Sequence, residues 1–168
     1  MSTAHLSPAG NIVIRYSLPS DRDAILAFVA DTGYFRPDEL PIAQEVLDEA
    51  LTAGPSGHYQ SLTALAAHTP VGWLCFGPTP CTLGTFDIYW IAVAPAHQGR
   101  GIGAQLIQRA EEMIKARHGR LAVIETSGQA RYQSTRAFYL KCGYHEAARV
   151  PNFYAPGDDK IIYVKQFR

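Results

Sequence analysis

The most constraining stretch of the chain runs from Phe86 to Arg117: FDIYWIAV, then APAHQ, then GRGIG, then AQLIQRAEEMIKAR. The first segment is dense in β-branched and aromatic residues and gives out before Pro95, the pattern of a strand buried largely on both faces. A glycine-spaced turn follows, then an amphipathic helix. Glycines at 99, 101 and 103 let the backbone approach a ligand closely, just where the next helix leaves its first N–H groups unpaired. The arrangement predicts a cradle for phosphate.

Three kinds of phosphate site compete for these residues. A Walker A loop ends in Gly-Lys-Ser/Thr, and Gly103-Ala104-Gln105 supplies neither the lysine nor the hydroxyl. A dinucleotide fingerprint fits better, since Gly99-x-Gly101-x-x-Ala104 matches its glycines and Glu125 lies about 20 residues on. Two features weigh against it. Ala94 to Gln98, with a proline inside, separate the strand from the first glycine, and only 43 residues follow Glu125, too few for the rest of a doubly wound sheet.

The third reading takes Gln98-Gly99-Arg100-Gly101-Ile102-Gly103 as a Q/R-x-x-G-x-G/A signature. With IAVAP before it, the amphipathic helix and the strand LAVIE after it, and AFYLKCGY downstream, residues 86 to 145 resemble the GNAT superfamily of acetyl-coenzyme A-dependent N-acetyltransferases. The resemblance implies a mixed, mostly antiparallel α/β sheet with helices on both faces and a splayed central strand pair. It also implies acetyl-CoA as cosubstrate, no metal, and a small-molecule amine or a peptide N-terminus as acceptor.

Composition agrees with an ordinary globule: 168 residues, 47% hydrophobic and 18% charged, enough for one domain with a substantial core. We expect a leader over 1–10 and one domain over 11–168. Fifteen basic against fifteen acidic residues provide no field for nucleic acid. No apolar run approaches the ~18 residues of a membrane span, and MSTAHLSPAGN has neither the basic start nor the apolar core of a signal peptide. The expectation is a cytoplasmic protein, monomer or homodimer. Cys75, Cys81 and Cys142 form no C-x-x-C and read as reduced thiols.

IVIRY, 12–16, reads as a first strand, and Pro19-Ser20-x-x-Asp23 as a helix start before Ala24, Ile25, Phe28 and Val29. A second helix runs from about Pro37 to Gly54, its other face carrying Asp38, Glu39, Glu45, Asp48 and Glu49, either a solvated face or an attractor for a cationic substrate. SLTALAA and VGWLCFG predict a hairpin, and Phe86 to Val93 the central strand. Simple alternation puts Phe86, Ile88, Trp90 and Ala92 on one face; the resemblance implies a bulge near Ile91 to Val93 that would break it. A helix over about 101–117, a strand over 120–126, a helix over 131–142, and strands over 147–150 and 161–167 joined by the loop PNFYAPGDDK complete the chain.

Acetyl transfer from a thioester to an amine needs a held cosubstrate, a neutral amine, donors for the oxyanion, and a proton for the departing thiolate. The resemblance places the diphosphate on the backbone amides of Gln98, Gly99, Arg100, Gly101, Ile102 and Gly103, with charge added by Arg100. It places the pantetheine arm on backbone groups of Ile91, Ala92 and Val93. Tyr139, in Phe138-Tyr139-x-x-x-Gly143-Tyr144, matches the tyrosine that protonates the thiolate; a phenol ionises near pH ~10, not far from an alkyl thiol. Taken alone, Tyr139 reads as an aromatic packed into the core; within this motif it reads as catalytic.

Two acids compete as general base. Glu125 matches an acid of some peptide N-terminal acetyltransferases, and at an apolar strand end its carboxyl would be raised toward neutrality. Asp87 is the second. Either could instead bind the amine or pair with Arg131 or Arg136. The family often has an asparagine where Tyr132 stands, so Ser134 or Thr135 would supply that polar contact to the cosubstrate.

Tyr34, Phe35, Tyr89, Trp90, Phe153 and Tyr154 are the expected acceptor wall, aromatics with polar ends suited to a pocket open to water. Gly157-Asp158-Asp159 adds acids that would suit a polyamine or another cationic small molecule. Two functions are therefore open: an active N-acetyltransferase, or a non-catalytic acetyl-CoA sensor or interaction module.

Overall fold

A computed structural model describes residues 11–168; the expected leader over 1–10 lies outside the described residues. Seven strands, β1 (Ile12–Tyr16), β2 (Gln60–Ala66), β3 (Thr69–Pro78), β4 (Thr85–Val93), β5 (Leu121–Ser127), β6 (His145–Ala155) and β7 (Asp158–Gln166), form one sheet in the order β1-β2-β3-β4-β5-β7-β6. Every neighbouring pair is antiparallel except β4 and β5. That parallel step requires a crossover, and α3 (Ile102–Ala116) provides it. The other helices are α1 (Arg22–Asp31), α2 (Leu40–Ala53) and α4 (Gln133–Lys141).

The two faces of the sheet have separate cores. Ile102, Leu106, Ile107, Ala110 and Ile114 of α3 pack on Leu62, Leu74, Phe76, Phe86 and Ile88, joined by Tyr139 of α4. On the opposite face Ile25, Phe28 and Val29 of α1 and Ala43 and Leu47 of α2 cover Trp73, Cys75 and Ala92. Each fully buried branched side chain stabilises the fold by about 1.5–3 kcal/mol. None of the helices of the described residues is long and apolar enough to cross a membrane.

The bulge in β4 falls earlier than expected. Cys75 pairs with Trp90 while Phe76 pairs with Ile88, so Tyr89 is the extra residue, not one of Ile91 to Val93. The slip reverses facing along the strand. Phe86 and Ile88 face α3, whereas Trp90 and Ala92 join the α1/α2 core and Ile91 and Val93 return to the α3 side.

Two more expectations are corrected. The carboxylate used at this helix start is Asp21, which closes the turn Pro19–Asp21 leading into α1 by accepting from the Leu18 N–H at 2.8 Å and from Arg15, while Asp23 is exposed. The segment 151–160, expected as a loop, is mostly strand: Val150 pairs with Lys160 and Ala155 with Asp158, the register shifting between them around Asn152, whose φ is 53°. The strands turn over only at Pro156-Gly157.

Candidate active site

β4 and β5 pair from Thr85↔Leu121 to Ile88↔Ile124 and no further. Beyond that point β4 continues to Val93 against β3 alone, so its other edge, from Tyr89 onward, faces no strand. An unpaired strand edge is a row of N–H and C=O groups available to an extended partner. At its end the chain enters the glycine turn. Gly101, at φ +77°, is the left-handed residue that starts α3, and the first helical bond runs from Gln105 N–H to its carbonyl. Among the described residues, the N–H groups from Gly99 through Ala104 have no acceptor. The Gln98 side chain turns back to donate to the Val93 carbonyl at 3.0 Å and ties the turn to the strand.

The open edge lines one cavity of about 880 Å³ together with Gly99 and Gly101 to Ala104 of the turn. Of the expected cosubstrate residues, Ile91, Ala92, Val93, Gln98, Gly99, Gly101, Ile102, Gly103, Ser134 and Thr135 lie on it. Arg100 does not; its exposed side chain stands outside the lining. Gly103 is small for a packing reason, since a Cβ there would come 3.1 Å from the Phe138 ring.

Tyr139 also lines the cavity, though only 5% of it is exposed. Burial raises its pKa well above the ordinary phenol value. It keeps its proton across the physiological range. Asp87 and Glu125 reach the cavity from adjacent strands. Asp87 accepts from the Thr79 hydroxyl at 2.6 Å. Glu125 is not in the apolar surroundings expected of it: its side chain is 46% exposed and meets the Lys160 ammonium at 2.6 Å. Neither expected arginine partner is used. Arg136 donates to the carbonyls of Ser127 and Gln129, and Arg131 stacks on Tyr132 with 4.9 Å to the ring centroid.

Tyr34, Phe35, Tyr89, Trp90 and Tyr154 stand on the cavity wall, with Phe35 and Trp90 in contact at 5.0 Å between ring centroids. Phe153 does not; it is exposed beneath the Lys160 ammonium, 3.7 Å from its ring centroid. The sequence reading left out Tyr132 as a wall residue. Its hydroxyl donates to the Tyr34 carbonyl at 2.6 Å and joins the α1–α2 loop to the β5–α4 turn across the cleft. It did not single out Asp158 from Asp159 either. Asp158 is buried and lines the cavity, whereas Asp159 takes the Asn152 N–H and Arg149 outside it. Among the described residues no group of His, Cys, Asp and Glu could hold a metal ion.

The sequence model of the acetyltransferase (GNAT) domain matches residues 57–146. A solved protein from Desulfovibrio desulfuricans, assigned to the GNAT acetyltransferases, is 40% identical, with 93% of this chain and 99% of that one covered and a TM-score of 0.88. The chain belongs to the GNAT acetyltransferase family. Two more distant solved structures share the fold. An aminoglycoside 6′-N-acetyltransferase complexed with coenzyme A is 16% identical (92% and 96% covered, TM-score 0.73). The ribosomal-protein-S18-alanine N-acetyltransferase of Escherichia coli is 18% identical (93% and 94% covered, TM-score 0.73). No protein of curated function matches the chain.

Proposed function

We propose that residues 11–168 act as one N-acetyltransferase domain that moves an acetyl group from acetyl-CoA to a primary amine. The observation that carries this reading is the unpaired edge of β4 and the unpaired N–H groups of Gly99 and of Gly101 to Ala104, all on one cavity. The N–H groups and the dipole of α3 suit a diphosphate, and Arg100 at the rim adds charge from solvent. The open strand edge suits the amide-bearing pantetheine arm, and its N–H groups would take the carbonyl oxygen as it gains charge.

The amine nitrogen attacks the thioester carbon, the carbon–sulfur bond breaks, and the sulfur leaves with the bonding electrons. Tyr139 then gives its proton to the thiolate, and solvent restores it. The amine's proton passes to Glu125 or Asp87, directly or through water. Lys160 fixes the Glu125 carboxylate at the mouth, while Asp87 sits deeper on β4; the two are separated by substituting each.

The test is to incubate the protein with acetyl-CoA and a panel of amines and N-terminal peptides and to follow free thiol. Acceptor-dependent thiol release supports transfer. Tight coenzyme A binding without release across the panel would instead favour a sensor.

A further inference from the structure

The acetyl-transfer reading leaves the acceptor open, and the far wall of the cavity narrows it. Four carboxylates line the space: Glu39, Asp87, Glu125 and Asp158. Glu125 is paired with Lys160, Glu39 accepts from the Arg36 backbone N–H at 2.7 Å, and Asp87, only half-buried, accepts from Thr79.

Asp158 differs. Only 5% of it is exposed, its side-chain donor is the Ser127 hydroxyl at 2.5 Å, and among the described residues no basic side chain forms an ion pair with it. The cations of the surrounding segments are engaged elsewhere: Arg36 forks Asp38, Arg131 lies over the Tyr132 ring, Arg136 holds two carbonyls, and Lys160 holds Glu125. A carboxylate with a hydroxyl but no cation beside it attracts positive charge. The route for that charge is the cavity, which Asp158 lines.

The walls beside it suit a cation as well. Tyr34, Tyr132 and Tyr154 line the same space, aromatic rings of the kind that attract cations, and Tyr132 is held in place by its bond to the Tyr34 carbonyl. The Tyr154 hydroxyl is raised to about 12, first by burial and then by Glu125, Asp158 and Glu39, so acids from three separate segments converge there. Ser127, to which Asp158 is bonded, lies three residues beyond Ile124, the last residue of β5 that pairs with β4. Along a strand that is ~10 Å from the point where the reacting carbonyl would sit.

We propose that the acceptor is a dication, a diamine or short polyamine, and that Asp158 docks its second ammonium while the first is acetylated. The distal nitrogen keeps its proton and charge throughout; only the reacting nitrogen loses a proton and gains the acetyl group.

The test is equilibrium binding to the coenzyme A complex of the full chain, which needs no turnover. Diaminobutane, diaminohexane and diaminooctane are compared with butylamine, hexylamine and octylamine by calorimetry, in wild type and in Asp158→Asn, which keeps an acceptor for Ser127. We expect one diamine length to bind roughly tenfold tighter than its monoamine partner, the preference to shrink with added salt, and Asp158→Asn to abolish most of it. Unchanged coenzyme A affinity reports an intact variant; if the variant loses that affinity, the wild-type ratio and its salt dependence decide. Diamine and monoamine binding within twofold of each other, no amine binding at all, or a preference that survives Asp158→Asn would overturn the proposal. Thiol release with any amine tests the acetyl-transfer reading separately, so the two can fail independently.

Discussion

The phenol of Tyr132 donates a 2.6 Å hydrogen bond to the backbone carbonyl of Tyr34, joining residues on opposite sides of the cleft. Tyr132→Phe keeps the ring and removes the tie. We expect a stability loss of about 1 kcal/mol and a higher KM for the acceptor, with coenzyme A affinity retained. Thermal melts and steady-state kinetics check this; an unchanged KM would make the contact structural only.

Tyr139 is the proton donor of the proposed reaction. Tyr139→Phe is expected to lower kcat about a hundredfold while coenzyme A binding stays near wild type. Because burial raises this phenol, it stays protonated as pH rises through ~10, and an alkaline fall in rate below that pH must come from another group. A pH–rate profile of wild type against the variant separates the two.

Glu125→Gln and Asp87→Asn divide the base assignment. The acid that takes the proton should lose about a hundredfold in kcat on amidation, and the other should change mainly KM. Equal small effects at both positions would mean the amine loses its proton to water.

Gly101→Ala places a side chain at φ +77°, where strain costs about 1–2 kcal/mol although the space around it is open. Coenzyme A affinity should fall roughly tenfold or more, read by calorimetry. Gly103→Ala acts differently: its Cβ meets the Phe138 ring and displaces the helix that carries Tyr139, so kcat should fall more than affinity.

Asp21 anchors the start of α1. Burial opposes its ionisation, but the Arg15 guanidinium and the Leu18 N–H outweigh it and hold its carboxyl below the ordinary value. A depressed carboxyl stabilises the fold above its unfolded pKa of ~3.9 and ceases to as pH falls through the folded value. Asp21→Asn should cost about 1–3 kcal/mol at neutral pH and approach wild type in strong acid. Melts from pH ~2 to 7 test this.

The parts legible in the sequence are those where local pattern and tertiary demand agree. The run Phe86 to Arg117 gave strand, turn and helix because β-branched residues, spaced glycines and a helical apolar stripe all point the same way. The Tyr89 bulge was misplaced because nothing in YWIAV signals which residue drops out of register with β3. The 151–160 segment reads as a loop from Pro151, Asn152, Pro156 and Gly157, yet pairing with β7 carries the strand past two of them with a register shift. Asp21 and Asp23, like Asp158 and Asp159, are near neighbours of one type; which turns inward is decided by side-chain contacts that residue type does not encode, Arg15 and Leu18 close by for one pair and Ser127 on another strand for the other. Lys160 as partner of Glu125 follows from β5–β7 register, which no local spacing encodes.

The parting of β4 from β5 makes the empty protein thermodynamically incomplete. The backbone groups of Tyr89 to Val93 that point away from β3 form a largely unfilled ladder, so a bound thioester would serve as a transient eighth strand. Melting temperature should then track cosubstrate concentration, with about 2.7 kcal/mol gained at a hundredfold excess over Kd. Hydrogen exchange along that edge should slow in the same titration, while Phe86 to Ile88 hardly change.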